Sequence, residues 1–322
     1  MPGTLSVGAV LALWWQRHGD VALVVMGALL VSGKGIFAKL LFRDGVAVES
    51  ILLLRSWVTL PLVWGWALYR LAPRQLWPAQ PRLILGAILA GLASHYAAAW
   101  LNFVALTMID ASLERVLLFT YPAMVVLARA LAARRWPSSR LLTAVALTYL
   151  GVGCAVGGIN IELWRANGLG AALVLASAAG FAYYLIANER VATVIGSVPF
   201  IVYASSAGAL ALTLHAALMG GASFGSFVTL SPRAWTLVLA MTVTTSVLPL
   251  FLFSASIRRI GAQRASIVST IGPPATFVMA AWILGEAMHP IQMLGTGLII
   301  AGIVVLETRR GETTALVQDK PA

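Results

Sequence analysis

Charge is scarce in this chain. Asp and Glu number 11 and Lys and Arg 22 in 322 residues, and charged side chains make up only 10% of the sequence. A soluble domain carries about 25%, so no soluble catalytic domain is expected. Cysteine is nearly absent: Cys154 stands alone, which excludes a disulfide framework and a cysteine metal cluster. Long polar stretches are missing as well. The longest connection between apolar runs, 220–234, is rich in Gly and Ser and too short to fold alone. Phosphate-binding loops and metal-spaced His/Glu pairs do not occur. The run GVGCAVGG at 151–158 lies within an apolar segment with no strand before it, so it is no dinucleotide loop; Gly153 and Gly157 read instead as a close-packing pair. His95 and His215 lie in separate segments without a nucleophile partner. No enzyme, cofactor or metal site is expected.

What the chain has is apolar sequence. Hydrophobic residues make up 60%, and the mean hydropathy is +0.90. About 20 apolar residues cross a ~30 Å hydrocarbon core. Ten runs qualify: 21–42, 51–69, 83–106, 111–131, 141–158, 169–188, 198–219, 235–257, 265–284 and 290–306. The fold class expected is an all-α polytopic membrane protein. Net charge is +11, but its distribution follows topology rather than a polyanion-binding face, and no nucleic-acid partner is expected. With ten spans and a cytoplasmic amino terminus, the inner loops and tails collect Arg70, Arg74, Arg82, Arg134, Arg135, Arg140, Arg190 and others. The outer loops receive only Arg43, Arg165 and Arg233. This places both termini in the cytoplasm and the protein in the inner membrane. The apolar stretch Leu5–Trp15 is too short to span, so residues 1–20 are an extension without assigned function, and 307–322 a cytoplasmic tail.

The sequence also repeats. Residues 100–156 shifted by 151 positions fall on 251–307 without a gap. Ile109 then matches Ile260, Ala111 matches Ala262 and Pro122 matches Pro273, while Ala144, Ala146 and Gly151 fall on Gly295, Gly297 and Gly302. Two five-helix repeats follow, at 21–158 and 169–306. An odd helix count inverts the second copy, as in many secondary transporters.

The stretches GAQRASIVSTIGPPATFVMAAWILGE and HPIQMLGTGLIIAGIVVL resemble the last two helices of EamA-type carriers of the drug/metabolite transporter superfamily. SGKGIFAKLLF and ERVLLFTYPAMVVL in the first half resemble one branch of the same family. The resemblance covers about residues 20–307 and implies a ten-helix metabolite exporter with a cavity between its halves. One departure stands out: Gly285-Glu286 closes the ninth span, where the first half has Arg134-Arg135.

Five cations lie within the spans: Lys34, Lys39, Arg55, Arg115 and Arg129. A centrally placed Lys or Arg costs about 2.5–3.5 kcal/mol on insertion scales, and such residues normally face a bundle interior or an aqueous path. Lys34, His95, Tyr121, Ser177, Ser246 and Thr276 each lie 12–14 residues from the inner polar anchor of their own spans, or about 18–21 Å deep. With Tyr184, on one stripe with Ser177 and Gly180, they form the candidate substrate-binding set. Gly91, His95 and Asn102 share a face, as do Ser266, Ser269, Pro273 and Thr276; such stripes are either cavity walls or packing surfaces. His95 is either a hydrated, titrating imidazole or a neutral one bonded to a neighbouring helix. Lys39, Arg55 and Arg129 read as residues reaching toward an interface. Glu114 pairs with Lys39 or Arg55, as an outer gate together with Arg115 or as a static ion pair. Pro122 and Pro273 free backbone carbonyls at matching places and are the candidate hinges.

The function expected is a secondary transporter exporting a small polar metabolite, an amino acid or organic acid, by alternating access. It would be driven by the substrate gradient, an exchanged solute or a coupled proton. The reading from another class is a non-transporting membrane component, a lipid-handling or assembly subunit. Oligomeric state is not legible. With no acid deeper than Glu114, the cations point to an anionic substrate.

Overall fold

The computed structural model describes residues 21–76, 80–132, 134, 139–219, 230–249, 252, 271–287 and 289–307. Regular structure among them is helical throughout, with no strand. The principal helices are α1 (Val21–Arg43), α2 (Val48–Arg70), α3 (Pro81–Leu106), α4 (Ala111–Ala132), α5 (Ser139–Val156), α6 (Ile161–Ile195), α7 (Ser197–Leu218), α8 (Pro232–Thr242, continuing over Val243–Val247), α9 (Gly272–Leu284) and α10 (Pro290–Glu307). By length and composition α1, α2, α3, α4, α6 and α7 can each cross a membrane. The described parts of α5, α8, α9 and α10 are shorter. The expected spans 235–257 and 265–284 run into 250–251 and 253–270, outside the described residues, as do Ser266 and Ser269.

Local chemistry explains several boundaries. Gly45 turns the chain between α1 and α2 at φ +77°, a conformation that favours glycine. The Ser231 hydroxyl accepts the Ala234 N–H ahead of α8, with Pro232 in the first turn. Asn160 caps α6 by accepting from the N–H groups of Glu162 and Leu163. That cap starts α6 well before the expected span 169–188, so most of the expected linker between repeats is helix. At 35 residues, α6 is about 52 Å long, well beyond the ~30 Å a bilayer core requires.

Among the described residues, three helices contain π-helical turns. Residues Leu92–Ala98 of α3, Val243–Val247 of α8 and Ala280–Leu284 of α9 are π-helical, a form frequent at functional sites. The first two begin at residues 92 and 243, separated by the same 151 positions that relate the two halves of the sequence. Helix α4 breaks at Phe119–Thr120, between the α-helical segments Ala111–Leu118 and Tyr121–Ala132. Pro122 accounts for the break, because a proline has no N–H for the carbonyl four residues back and its ring crowds that carbonyl.

Packing depends on small residues. Helices α5 and α10 run antiparallel in close contact. A Cβ on Gly151 would meet Ile299 and the Gly295 carbonyl, and one on Gly302 would meet Thr148 and the Ala144 carbonyl. These contacts are reciprocal under the 151-residue offset, because Gly151 and Gly302 match, as do Ala144 and Gly295. The packing face is therefore Gly151 rather than Gly153, whose missing side chain faces open space. Glycine also brings α6 and α7 onto α3: Gly180 lies against the Ala93 backbone and Gly208 against His95.

The principal apolar core joins Leu41, Ile51, Phe103, Val238 and Met241 from α1, α2, α3 and α8. A second core places Leu113 and Leu117 of α4 against Val156, Val174 and Ile299.

Candidate functional site

A cavity of about 570 Å³ lies among α1, α2, α3, α4, α6, α7 and α8. Its polar end is built on α1, α3 and α4. Lys34 Nζ donates to Asn102 Oδ1 at 2.6 Å and to Glu114 Oε1 at 3.0 Å, and Asn102 Nδ2 donates to the same Glu114 oxygen at 2.6 Å. Glu114 is 1% exposed, so its carboxylate is neutralised and hydrogen-bonded where water does not reach it.

Two further cations line the cavity without a carboxylate partner in the described structure. Arg55 donates from Nε to Ser246 Oγ at 3.2 Å. The Lys34 ammonium and the Arg55 guanidinium both approach the Phe103 ring, at 5.9 and 6.0 Å from its centroid. Arg115 is 7% exposed and lies 4.9 Å from the centroid of Phe119, and its Nε is buried without a hydrogen-bond partner. Among the described residues, three cations and one acid leave this end of the cavity with an excess of two positive charges.

The other wall is aromatic. Tyr121 meets Phe181 edge to face at 4.9 Å, Phe181 stacks parallel to Tyr184, and Tyr184 lies 5.0 Å from the His95 ring. His95 and Ser246, which occupy matching positions in the two π-helical segments, both line the cavity.

Beyond the polar end, the segments at residues 44–47, 107–110 and 285–287 are tied together. Glu286 Oε1 accepts the Ala111 N–H at 3.0 Å, and Oε2 accepts the N–H and the hydroxyl of Ser112 at 3.2 and 3.0 Å. These are orphan donors of a helix amino terminus, where negative charge is favoured. Arg43 donates to the Leu284 carbonyl at 2.7 Å, and Arg233 pairs with Asp44 at 3.2 Å. A smaller cavity of about 370 Å³ beside them is lined by Lys39, Arg43, Asp110 and Glu286 among others. Asp110 lies in the turn before α4; partial burial and the Glu286 carboxylate push its acid up from the ordinary value, against the pull of Lys39.

Known proteins bear on this arrangement. The model of the EamA-like transporter family matches residues 168–308. An uncharacterized transporter of Bacillus subtilis (strain 168), YcbK, is 31% identical over 298 residues, covering 90% of this chain and 93% of its own. The chain belongs to the EamA-like transporter family. A protein of known crystal structure shares the fold at TM-score 0.54 and 16% identity, covering 94% of this chain and 99% of its own. The molecule is thus a multi-pass membrane transporter of the EamA type.

The structure brings Lys34, His95, Tyr121, Tyr184, Ser246, Arg55 and Arg115 to one cavity of this transporter. Two members of the candidate set lie elsewhere. Ser177 is buried away from the lining, and Thr276 Oγ1 donates to the Ser32 carbonyl, tying α9 to α1. Spacing along a helix does not fix azimuth, and both face neighbouring helices rather than the cavity. The partner of Glu114 is Lys34, neither Lys39 nor Arg55. Arg55 faces the cavity instead of an interface, and Arg129 pairs with Glu189. Arg115 likewise lines the central cavity rather than standing only at its outer mouth. Pro122 sits at the break in α4, and Pro273 in the first turn of α9 as described. Sequence reasoning gave no role to Phe119, Phe181 or the Glu286 cap. For Glu286, the departure from Arg134-Arg135 was the available signal.

Proposed function

We propose that this transporter exports a small organic anion by alternating access. The excess of cations at the polar end of the cavity carries this reading. Arg55 and Arg115 are available to a carboxylate, whereas Lys34 is already engaged by Glu114 and Asn102. In a low-dielectric cavity such cations attract an anion and repel a cation by similar amounts. Lys34, Asn102 and Glu114 then act as a gate beneath the substrate, and His95, Tyr121, Tyr184 and Ser246 as its walls.

We further propose ten spans in two inverted repeats. The 151-residue offset between the π-helical segments and the reciprocal contacts of α5 with α10 support that arrangement. Arg70, at the end of α2, and Arg82, at the start of α3, lie a helix length from the turns 44–47 and 107–110 at the capped end. The positive-inside rule therefore puts the capped end outside, both termini in the cytoplasm and the cavity in an inward-facing state. Lining residues such as Thr59, Val63 and Tyr184 extend from the gate toward that inner end. Pro122 and Pro273 serve as hinges, and the driving force is the substrate gradient, an exchanged solute or a coupled proton. A metabolite-release screen in cells overexpressing the protein tests the reading. Release of organic anions should rise, and Arg55→Gln and Arg115→Gln should remove the increase. Release limited to cationic solutes would overturn it.

A further inference from the structure

The cavity provides for an anionic group far better than for an ammonium group on the same molecule. Arg115 presents a guanidinium that is more than nine-tenths buried, lines the cavity and has an unpartnered Nε. Arg55 adds a second guanidinium held through one hydrogen bond to Ser246. An α-ammonium lies within one carbon of its carboxylate, so a carboxylate seated on these arginines carries its ammonium into the same positive field. The acid that could offset it is Glu114, but Oε1 accepts from both Lys34 and Asn102 and the carboxylate is buried outside the cavity lining. Hydroxyls do not replace its charge: among the described lining residues Ser246 already accepts from Arg55, and Thr59 and Thr245, which donate to carbonyls of their own helices, can offer an ammonium a neutral oxygen but no compensating negative charge. The remaining wall is the chain Phe119, Tyr121, Phe181 and Tyr184, which offers ring faces and edges to a flat apolar body.

We infer that the transported solute is an amphiphilic monocarboxylate, an aryl or similarly apolar acid without an amino group. This narrows, and rests on, the reading of the cavity as an anion site. Its carboxylate would bridge Arg55 and Arg115, and its ring would lie against Phe181 and Tyr184. The volume of about 570 Å³ is within the ordinary range for small-molecule sites.

The test uses the full-length protein in lipid nanodiscs and four matched probes: 3-phenylpropanoate, phenylalanine, 2-phenylethylamine and propanoate. Binding is read by the shift of the thermal unfolding midpoint and by titration of intrinsic fluorescence. We expect 3-phenylpropanoate to bind at least tenfold more tightly than phenylalanine or propanoate, and 2-phenylethylamine not to bind. Arg115→Gln and, independently, Arg55→Gln should each weaken 3-phenylpropanoate binding at least tenfold. Either variant that keeps the ligand-free unfolding midpoint suffices for that comparison. Equal or tighter binding of phenylalanine overturns the inference and leaves the anion site standing. Binding of the amine alone overturns both, and no response to any of the four probes also overturns the inference.

Discussion

Glu286 caps the helix that begins at Ala111: each carboxylate oxygen takes one backbone N–H of the first turn of α4, 3.0 Å from Ala111 and 3.2 Å from Ser112. The contact joins the end of α9 to the start of the helix carrying Glu114 and Arg115. Glu286→Gln removes the charge and replaces one accepting oxygen with a donor, a loss comparable to an N-cap change of about 0.5–2 kcal/mol. The capped end should then open more often. Ala98→Cys on a Cys154→Ala background places a thiol in the central cavity. Its labelling by an impermeant reagent applied at the capped end should rise severalfold in Glu286→Gln, and unchanged labelling would show that the cap does not seal that end.

Lys34 and Glu114 should behave as a unit. Removing one partner of a buried ion pair typically costs about 3–5 kcal/mol, because the other charge is left stranded. Lys34→Met and Glu114→Gln should each lower the unfolding midpoint strongly, and the double variant should recover most of the loss. Additive losses in the double-mutant cycle would disprove the coupling.

Asp110 gives the capped end a pH dependence whose sign is fixed. Its carboxyl is pushed above the ordinary 3.8 by partial burial and by Glu286, with Lys39 opposing. The folded protein therefore holds this proton more tightly than the unfolded chain. The resulting stability is fully present below 3.8 and is lost as pH rises through the higher folded value. Asp110→Asn should flatten that part of the profile of midpoint against pH. Retention of the wild-type slope would show that Asp110 does not set it.

The proposed topology is testable by reporter fusions. Fusions after Arg82, Arg140 and Arg190 should report the cytoplasm, and fusions near Asp44 and Glu162 the opposite side. Termini on opposite faces would rule out ten spans.

Pro122 follows the break in α4 at Phe119–Thr120, which separates Arg115 from the aromatic Tyr121. Pro122→Ala restores the missing donor and should straighten the helix. Turnover should fall several-fold with little change in apparent affinity, measured as initial rates in proteoliposomes. Wild-type turnover would reduce the proline to a structural feature.

The helical nature of the chain and the turn of the helix on which Lys34 and His95 stand were legible because hydrophobic length and residue spacing record them directly. What spacing does not record is azimuth against neighbouring helices. Ser177 and Thr276 face packed surfaces, and Arg55, read as reaching an interface, turns inward to Ser246. Pairing across helices is also invisible to depth arguments, which is why Lys34 emerged as a free cation and Glu114 was given the wrong partner. The start of α6 was missed because a polar N-terminal segment can extend a helix beyond its apolar run. The Asn160 cap shows where it begins.

The reciprocal glycine contacts of α5 with α10 have a consequence for origin. An interface in which residue i meets j while the counterpart of i meets the counterpart of j is isologous, the kind that two identical chains form about a two-fold axis. Gly151 against Gly295 and Gly302 against Ala144 fit that pattern within one polypeptide. A single five-helix unit could therefore have paired with an inverted copy of itself through this seam before the two were fused. Fusion would have released the two sides from being identical, and the seam shows it: Ala144 stands where the other half has Gly295, and Thr148 where it has Ile299.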